Sequence, residues 1–293
     1  MGNPYHYFRL IHGNIASLEF RYQKYVIKTS RSGRIWIVMA VFLLAPAIIT
    51  SLALWFIGLT GRSPTAILNE RHLLLTGHTT LTEQGLRLGM VTFVTMNIAL
   101  YLVVTLVALA LSANSVTREK LNKTWDLLIL TNVDAQEMVW GKWWASLKAL
   151  AGDYGMVGLL RFGVAGGIVA ANTPHLSPLP LGAPVEVGHL LLMTLSLGLF
   201  TAIDAALTAA LGIAGALAEA PGSVTNTLVV SARVFGIGVE LKYGWFLLNR
   251  IRDGEPYLGA TLIGLSLLVG MTWFVLWASQ QIATRGQVSP PPA

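Results

Sequence analysis

Residues 114–144, NSVTREKLNKTWDLLILTNVDAQEMVWGKWW, form the longest polar, charge-bearing insert between the hydrophobic runs of this chain. Leu121, Trp125 and Leu128 recur at i, i+4 and i+7, with Thr117 and Thr124 beside them, which makes one apolar helical stripe. Glu119, Lys120, Lys123 and Asp126 point largely the other way, and Glu119 to Lys123 is a favourably oriented i,i+4 pair. Thr131-Asn132 breaks the run. Asp134 with Glu137 three residues later is a capping-box-like start of a new helix. The pattern predicts a short amphipathic helix over Ser115–Leu130, a turn, and a fresh helix. Placed between two membrane spans, this is a docking element for a cytoplasmic partner. A loop helix resting on the membrane surface has the same pattern.

The flanks are hydrophobic enough to make this a membrane protein. Of 293 residues, 54% are hydrophobic and only 12% are charged, against about 25% charged in a soluble domain. The expected fold is all-α and polytopic, with six spans at 35–59, 89–111, 149–171, 187–217, 224–248 and 257–282. Spans 1, 2 and 6 carry no charge and exceed twenty residues, enough to cross a core of about 30 Å. The helix begun at Asp134 should run to about Ala171, which is ~55 Å at 1.5 Å per residue. Its first turns therefore project into the cytoplasm, and Gly163-xxx-Gly167 offers a small-residue face for close helix packing. Ahead of span 1, residues 1–34 carry Phe8, Ile11, Ile15, Leu18, Tyr22 and Tyr25 at spacings of three and four. They form an interfacial amphipathic helix, which Gly13 interrupts and whose stripe Glu19 weakens. The tail 283–293 ends in Ser-Pro-Pro-Pro-Ala and is expected to be disordered.

Six spans put both termini on one side. The leader, the segment 114–142 and the tail on that side carry eleven Lys and Arg, and the loops on the other carry five, so the positive-inside rule makes the termini and the segment 114–142 cytoplasmic. The net charge of +6 reads as orientation and lipid contact rather than as a nucleic-acid site.

The central stretch resembles the signature of type-2 ABC exporter permeases, the membrane subunits of ATP-binding-cassette exporters. The residues that carry the likeness are Arg118-Glu119, Lys123-Thr124-Trp125-Asp126-Leu127-Leu128, Leu130-Thr131 and Gly141-Lys142. Glu19-Phe20-Arg21 resembles a Glu-Phe-Arg of that family's N-terminal connecting helix. The chain departs from the pattern in its Arg-Glu order, in Lys123 for Gly, in Asp126 for Glu and in Asn132 for Pro. The resemblance implies coupling to a separate ATPase through Arg118, Glu119, Thr124, Asp126, Leu127, Gly141 and Lys142. It also implies a dimer, with a second copy of the chain or a homologue, bound to two ATP-binding-cassette subunits. ATP and Mg would then sit on the partner, with no cofactor in this chain, and the complex would lie in the cell membrane.

The residues themselves carry no catalytic constellation. Gly141-Lys142 lacks the Gly-x-x-x-x-Gly-Lys-Ser/Thr phosphate cradle. No His-Glu-x-x-His and no nucleophile elbow is present, and no cysteine exists to hold a metal. His72 and His78 are six apart, which is not a metal spacing. The chain is therefore expected to be no enzyme on its own. Asp153, Arg161, Asp204, Arg233 and Glu240 fall inside expected spans. Each would cost a few kcal/mol facing lipid, so each should face the bundle interior, a cavity or another charge. They either line a substrate path or fix helix register, with Asp204 on Arg161 or Arg233. Besides the ABC exporter permease, two readings stay open: an ion-coupled secondary transporter, and an assembly subunit of a larger membrane complex.

Overall fold

The computed structural model describes residues 14–29, 45–55, 80–122, 134–172, 187–218, 222–252 and 255–288. Within them the chain is all-α, with seven helices: α1 Asn14–Thr29, α2 Ala45–Trp55, α3 Thr80–Leu121, α4 Ala135–Asn172, α5 Val187–Leu217, α6 Gly222–Arg252 and α7 Leu258–Val288. Three segments are long and apolar enough to cross a bilayer: Val91–Leu121, Leu190–Leu217 and Leu258–Thr284.

Burial is inverted relative to a water-soluble bundle. Phe235 is 75% exposed and Leu262 63%, whereas Arg233 is 1% exposed and Asp204 is fully buried. Water would reject that apolar exterior, and lipid would reject ionised groups on it. This is the arrangement of a membrane-embedded helical protein. The helices α6 and α7 supply most of the apolar exterior, including Trp245, Phe274 and Trp277.

The helix α5 is the hub and packs against α3, α4, α6 and α7. Small residues let the backbones close. At Gly163 and Gly166 of α4 a Cβ would collide with the α2 backbone at Ser51 and Leu54–Trp55, and at Gly212 of α5 with Ser112 and Leu109 of α3. The close α4 face thus uses Gly166 besides the Gly163 that the spacing had singled out. Across the same α2–α4 contact Ser51 Oγ donates to the Leu159 carbonyl.

Three expected boundaries fall inside longer helices. The helix that carries the second span is not confined to it, for α3 starts at Thr80, ahead of the apolar segment at Val91, and runs 42 residues. Nor does it end before a separate docking helix, since Ser115–Leu121 continue α3 without a break. Asn114 and Ser115 are poor helix formers, but packing overrides propensity here. Val116 is fully buried, and Ser115 Oγ turns back to the Ser112 carbonyl at 2.8 Å. The rest of the expected docking segment, 123–133 with Thr124, Asp126 and Leu127, lies outside the described residues. The third boundary is the tail: α7 continues to Val288 rather than ending at Ile282. Ala283 packs into the core, and no proline intervenes until Pro290, which disfavours helix at Ser289.

The start of α4 follows the capping expectation. Asp134 Oδ1 accepts from the Gln136 N–H at 3.2 Å, and its carbonyl accepts from Met138 N–H at 3.1 Å. The described part of α1 begins at Asn14, and Gly13, expected to interrupt the helix, lies outside the described residues.

Candidate functional site

Two charged clusters and one apolar groove carry the polar chemistry of the bundle. The first cluster lies where α1, the end of α3 and the start of α4 meet. Glu19, 5% exposed, places Oε2 3.0 Å from Arg118 Nη2 and 3.5 Å from Lys142 Nζ, and its Oε1 accepts from Gln23 at 3.1 Å. Lys142, 1% exposed, pairs with Glu119 at 2.7 Å and donates to the Ser115 carbonyl at 3.0 Å. Gln23 also donates to Ser146 Oγ at 3.3 Å. Arg118 stacks over the Tyr22 ring at 3.7 Å. The pair between helices is Glu119–Lys142, and Lys123, which the spacing had set beside Glu119, lies outside the described residues.

The sequence stripe on α1 also acquires a different meaning. The face that packs on α4 is Ala16, Glu19 and Gln23, while Leu18, Tyr22 and Tyr25 stay exposed. Leu18 is thus turned outward, and Glu19, read from sequence as a flaw in that stripe, is the centre of the junction. Its signal was the buried-side spacing Ala16–Glu19–Gln23, which only a partner helix makes legible. Of the expected coupling residues, the structure brings together Arg118, Glu119 and Lys142, with Gly141 buried beside them. Lys120 on the same turn donates to the Leu217 carbonyl at 3.0 Å and so closes the C-terminal end of α5.

The second cluster joins α3, α5 and α6 at the middle of the bundle. The Arg233 guanidinium binds Asp204 through Nη2 and Glu240 through Nη1, the latter at 2.8 Å. The seven-residue separation on α6 is thus bridged by the length of the arginine side chain. The Tyr101 hydroxyl accepts from Arg233 at 2.9 Å and stands 3.0 Å from Asp204 and 2.8 Å from Glu240. It has one proton, so it donates to one carboxylate at a time.

Among the described residues Arg161 forms no ion pair. Its guanidinium donates to Thr201 Oγ1 at 2.6 Å and lies over the rings of Tyr101 at 4.5 Å and Phe200 at 4.9 Å. Of the two partners expected for Asp204, Arg233 is the one that binds it. The expectation that Asp153 turns inward is corrected, for it stands on an exposed part of α4 with no ion-pair partner among the described residues. It continues the Lys142–Ser146 face of α4.

Between α4, α5 and α7 runs an open groove of about 760 Å³. Gly155, Gly158 and Gly198 form its floor and Trp140, Trp144 and Trp273 gather at one end. Among the described residues no group of acids or histidines is placed to hold a metal ion.

No protein-family model matches the chain, and neither the curated proteins nor the solved structures include a match to it.

Proposed function

We propose that this chain is the transmembrane subunit of an ABC exporter, working as a dimer with two separate ATP-binding subunits in the cell membrane. In this reading α2, α4 and α6 complete a six-span bundle with α3, α5 and α7. Both termini and the segment 114–142 face the cytoplasm. The observation that carries the reading is the junction of Glu19, Arg118, Glu119 and Lys142. It fastens α1, the end of α3 and the start of α4 into one unit. The segment 123–133, whose pattern resembles the coupling segment of that family, enters and leaves this unit directly. A displacement imposed there by an ATPase would pass to α4 as a whole. Nucleotide drives such a change only by favouring one of two bundle states.

The test is purification from the chain's own membranes in mild detergent, with identification of co-purifying proteins and an ATP hydrolysis assay. A stoichiometric ATP-binding partner is expected, and its loss on combined substitution of Arg118 and Asp126 supports docking at this end. Recovery of the chain without any ATPase would sink the reading.

The cluster at Asp204, Arg233 and Glu240 favours a second reading, an ion-coupled transporter. Two carboxylates share one arginine and one phenolic proton there. Transport that follows a pH gradient in vesicles free of ATP would select it.

A further inference from the structure

The groove carries a ligand argument that does not depend on ATP coupling. Its lining is almost wholly apolar, and a Cβ added at Gly155 or Gly158 would meet nothing within 4 Å. The glycines therefore do not serve helix contact, unlike Gly163 and Gly166, and they leave a trough along α4. A 150 Å³ apolar cavity already accommodates benzene, and this trough, with about 760 Å³, is several times larger. It is open, and the surface around it on α7 is apolar and exposed. In a bilayer the molecule beside such a trough is a lipid chain.

The indole end of the groove supplies a second and independent observation. Trp140, Trp143 and Trp144 sit in the first turns of α4, at the level of α1, where Trp marks the headgroup boundary. The Trp144 Nε1–H is buried with no acceptor, so it is an unused donor beside the trough. Lys148 lies one turn further on, on the flank of α4 between the groove stripe and the face that carries α1. Its Nζ lies 5.8 Å from the Phe20 ring centre, and Lys24 of α1 reaches the same ring at 5.8 Å. Neither lysine has a carboxylate within ion-pair distance among the described residues. Among the described residues, Arg118 and Lys142 are taken up by acids and Lys120 by a helix end. Two exposed ammonium groups thus converge on one aromatic ring without a counter-charge, beside a chain-sized apolar trough.

We propose that the groove between α4, α5 and α7, together with Lys24 and Lys148, binds one anionic membrane phospholipid. An acyl chain lies along the Gly155–Gly158 floor, and the phosphate sits at the two ammonium groups. Phospholipid chemistry fits both halves at once, since the chain explains the trough and the phosphodiester explains the unbalanced lysines.

The experiment is native mass spectrometry of the full chain released from nanodiscs of equimolar phosphatidylglycerol and phosphatidylcholine. The wild type is expected to retain one phosphatidylglycerol in preference to phosphatidylcholine. Lys24→Gln with Lys148→Gln, both at exposed positions, should lower that preference by about tenfold. Gly155→Leu with Gly158→Leu should displace the retained lipid of either kind at unchanged melting temperature, because the added side chains enter open space. Unchanged preference in the lysine variant overturns the headgroup assignment. A retained lipid in the folded leucine variant overturns the groove assignment. Displacement by inorganic phosphate at constant ionic strength, with lipid binding unaffected by the leucines, would make the lysines a free-anion site and also overturn the proposal.

Discussion

Lys142, in the second turn of α4, places its ammonium 2.7 Å from the carboxylate of Glu119 on α3, and both groups lie inside the protein. Glu119 is thereby part of the frame that a partner would push on, rather than a free docking charge. With Glu19 on the other side of Lys142, one cation holds two acids from two helices.

Loss of that cation should be severe. Lys142→Met takes away the cation that stands between the carboxylates of Glu19 and Glu119. Removing one member of a buried ion pair costs about 3–5 kcal/mol. The expected outcome is a large fall in melting temperature in detergent. The exchange Glu119→Lys with Lys142→Glu should recover part of it, while Glu119→Lys alone should not.

Arg233 is the corresponding position in the middle of the bundle. Arg233→Met should destabilise by about 3–5 kcal/mol, because Asp204 and Glu240 then face each other. Adding Asp204→Asn and Glu240→Gln to it should restore much of the loss. Tyr101→Phe removes one hydroxyl from the same network and should cost about 1–3 kcal/mol. Denaturation of the purified variants checks the order.

Two classes of glycine on one helix should behave oppositely. Gly163→Leu and Gly166→Leu force α2 away from α4, since their Cβ positions are already occupied by backbone. Poor expression or aggregation is expected for both. Leucine at Gly155 or Gly158 should give a monodisperse protein by size exclusion.

The absence of cysteine makes exposure directly measurable with single introduced thiols. Leu262→Cys and Phe235→Cys should react with a membrane-permeant, lipid-soluble maleimide and not with a charged one. Leu121→Cys, exposed at the end of α3, should react with the charged reagent only after cells are opened. Reaction from outside intact cells would invert the proposed orientation.

The local features of the fold were legible in the chain. Asp134 announced the start of α4 because an N-cap is a short-range hydrogen bond between neighbouring residues. The charge-poor runs announced α3, α5 and α7 because length and hydropathy suffice for a span. The junction was not legible, because Glu19 and Lys142 are brought together from distant parts of the chain and hydropathy patterns do not encode pairings. A stripe of apolar residues does not say which face of α1 packs on α4, and there Glu19 and Gln23 do while Leu18 is exposed. Asp153 was misread for a related reason. Its span could be located from sequence, but which helices cover which face could not.

The helix α4 has one further property, which follows from its length alone. Its 38 residues make a rod of ~57 Å, nearly twice the ~30 Å hydrocarbon thickness. It is gripped closely by α2 near its far end and by ions near its first turns. In the proposed six-span reading such a rod would act as a lever with its fulcrum inside the membrane. A tilt of about 10° around the midpoint carries the first turn through about 5 Å, close to one helical pitch. A rotation too small to open the central contacts is therefore enough, at the tip, to exchange one set of charge partners for the next.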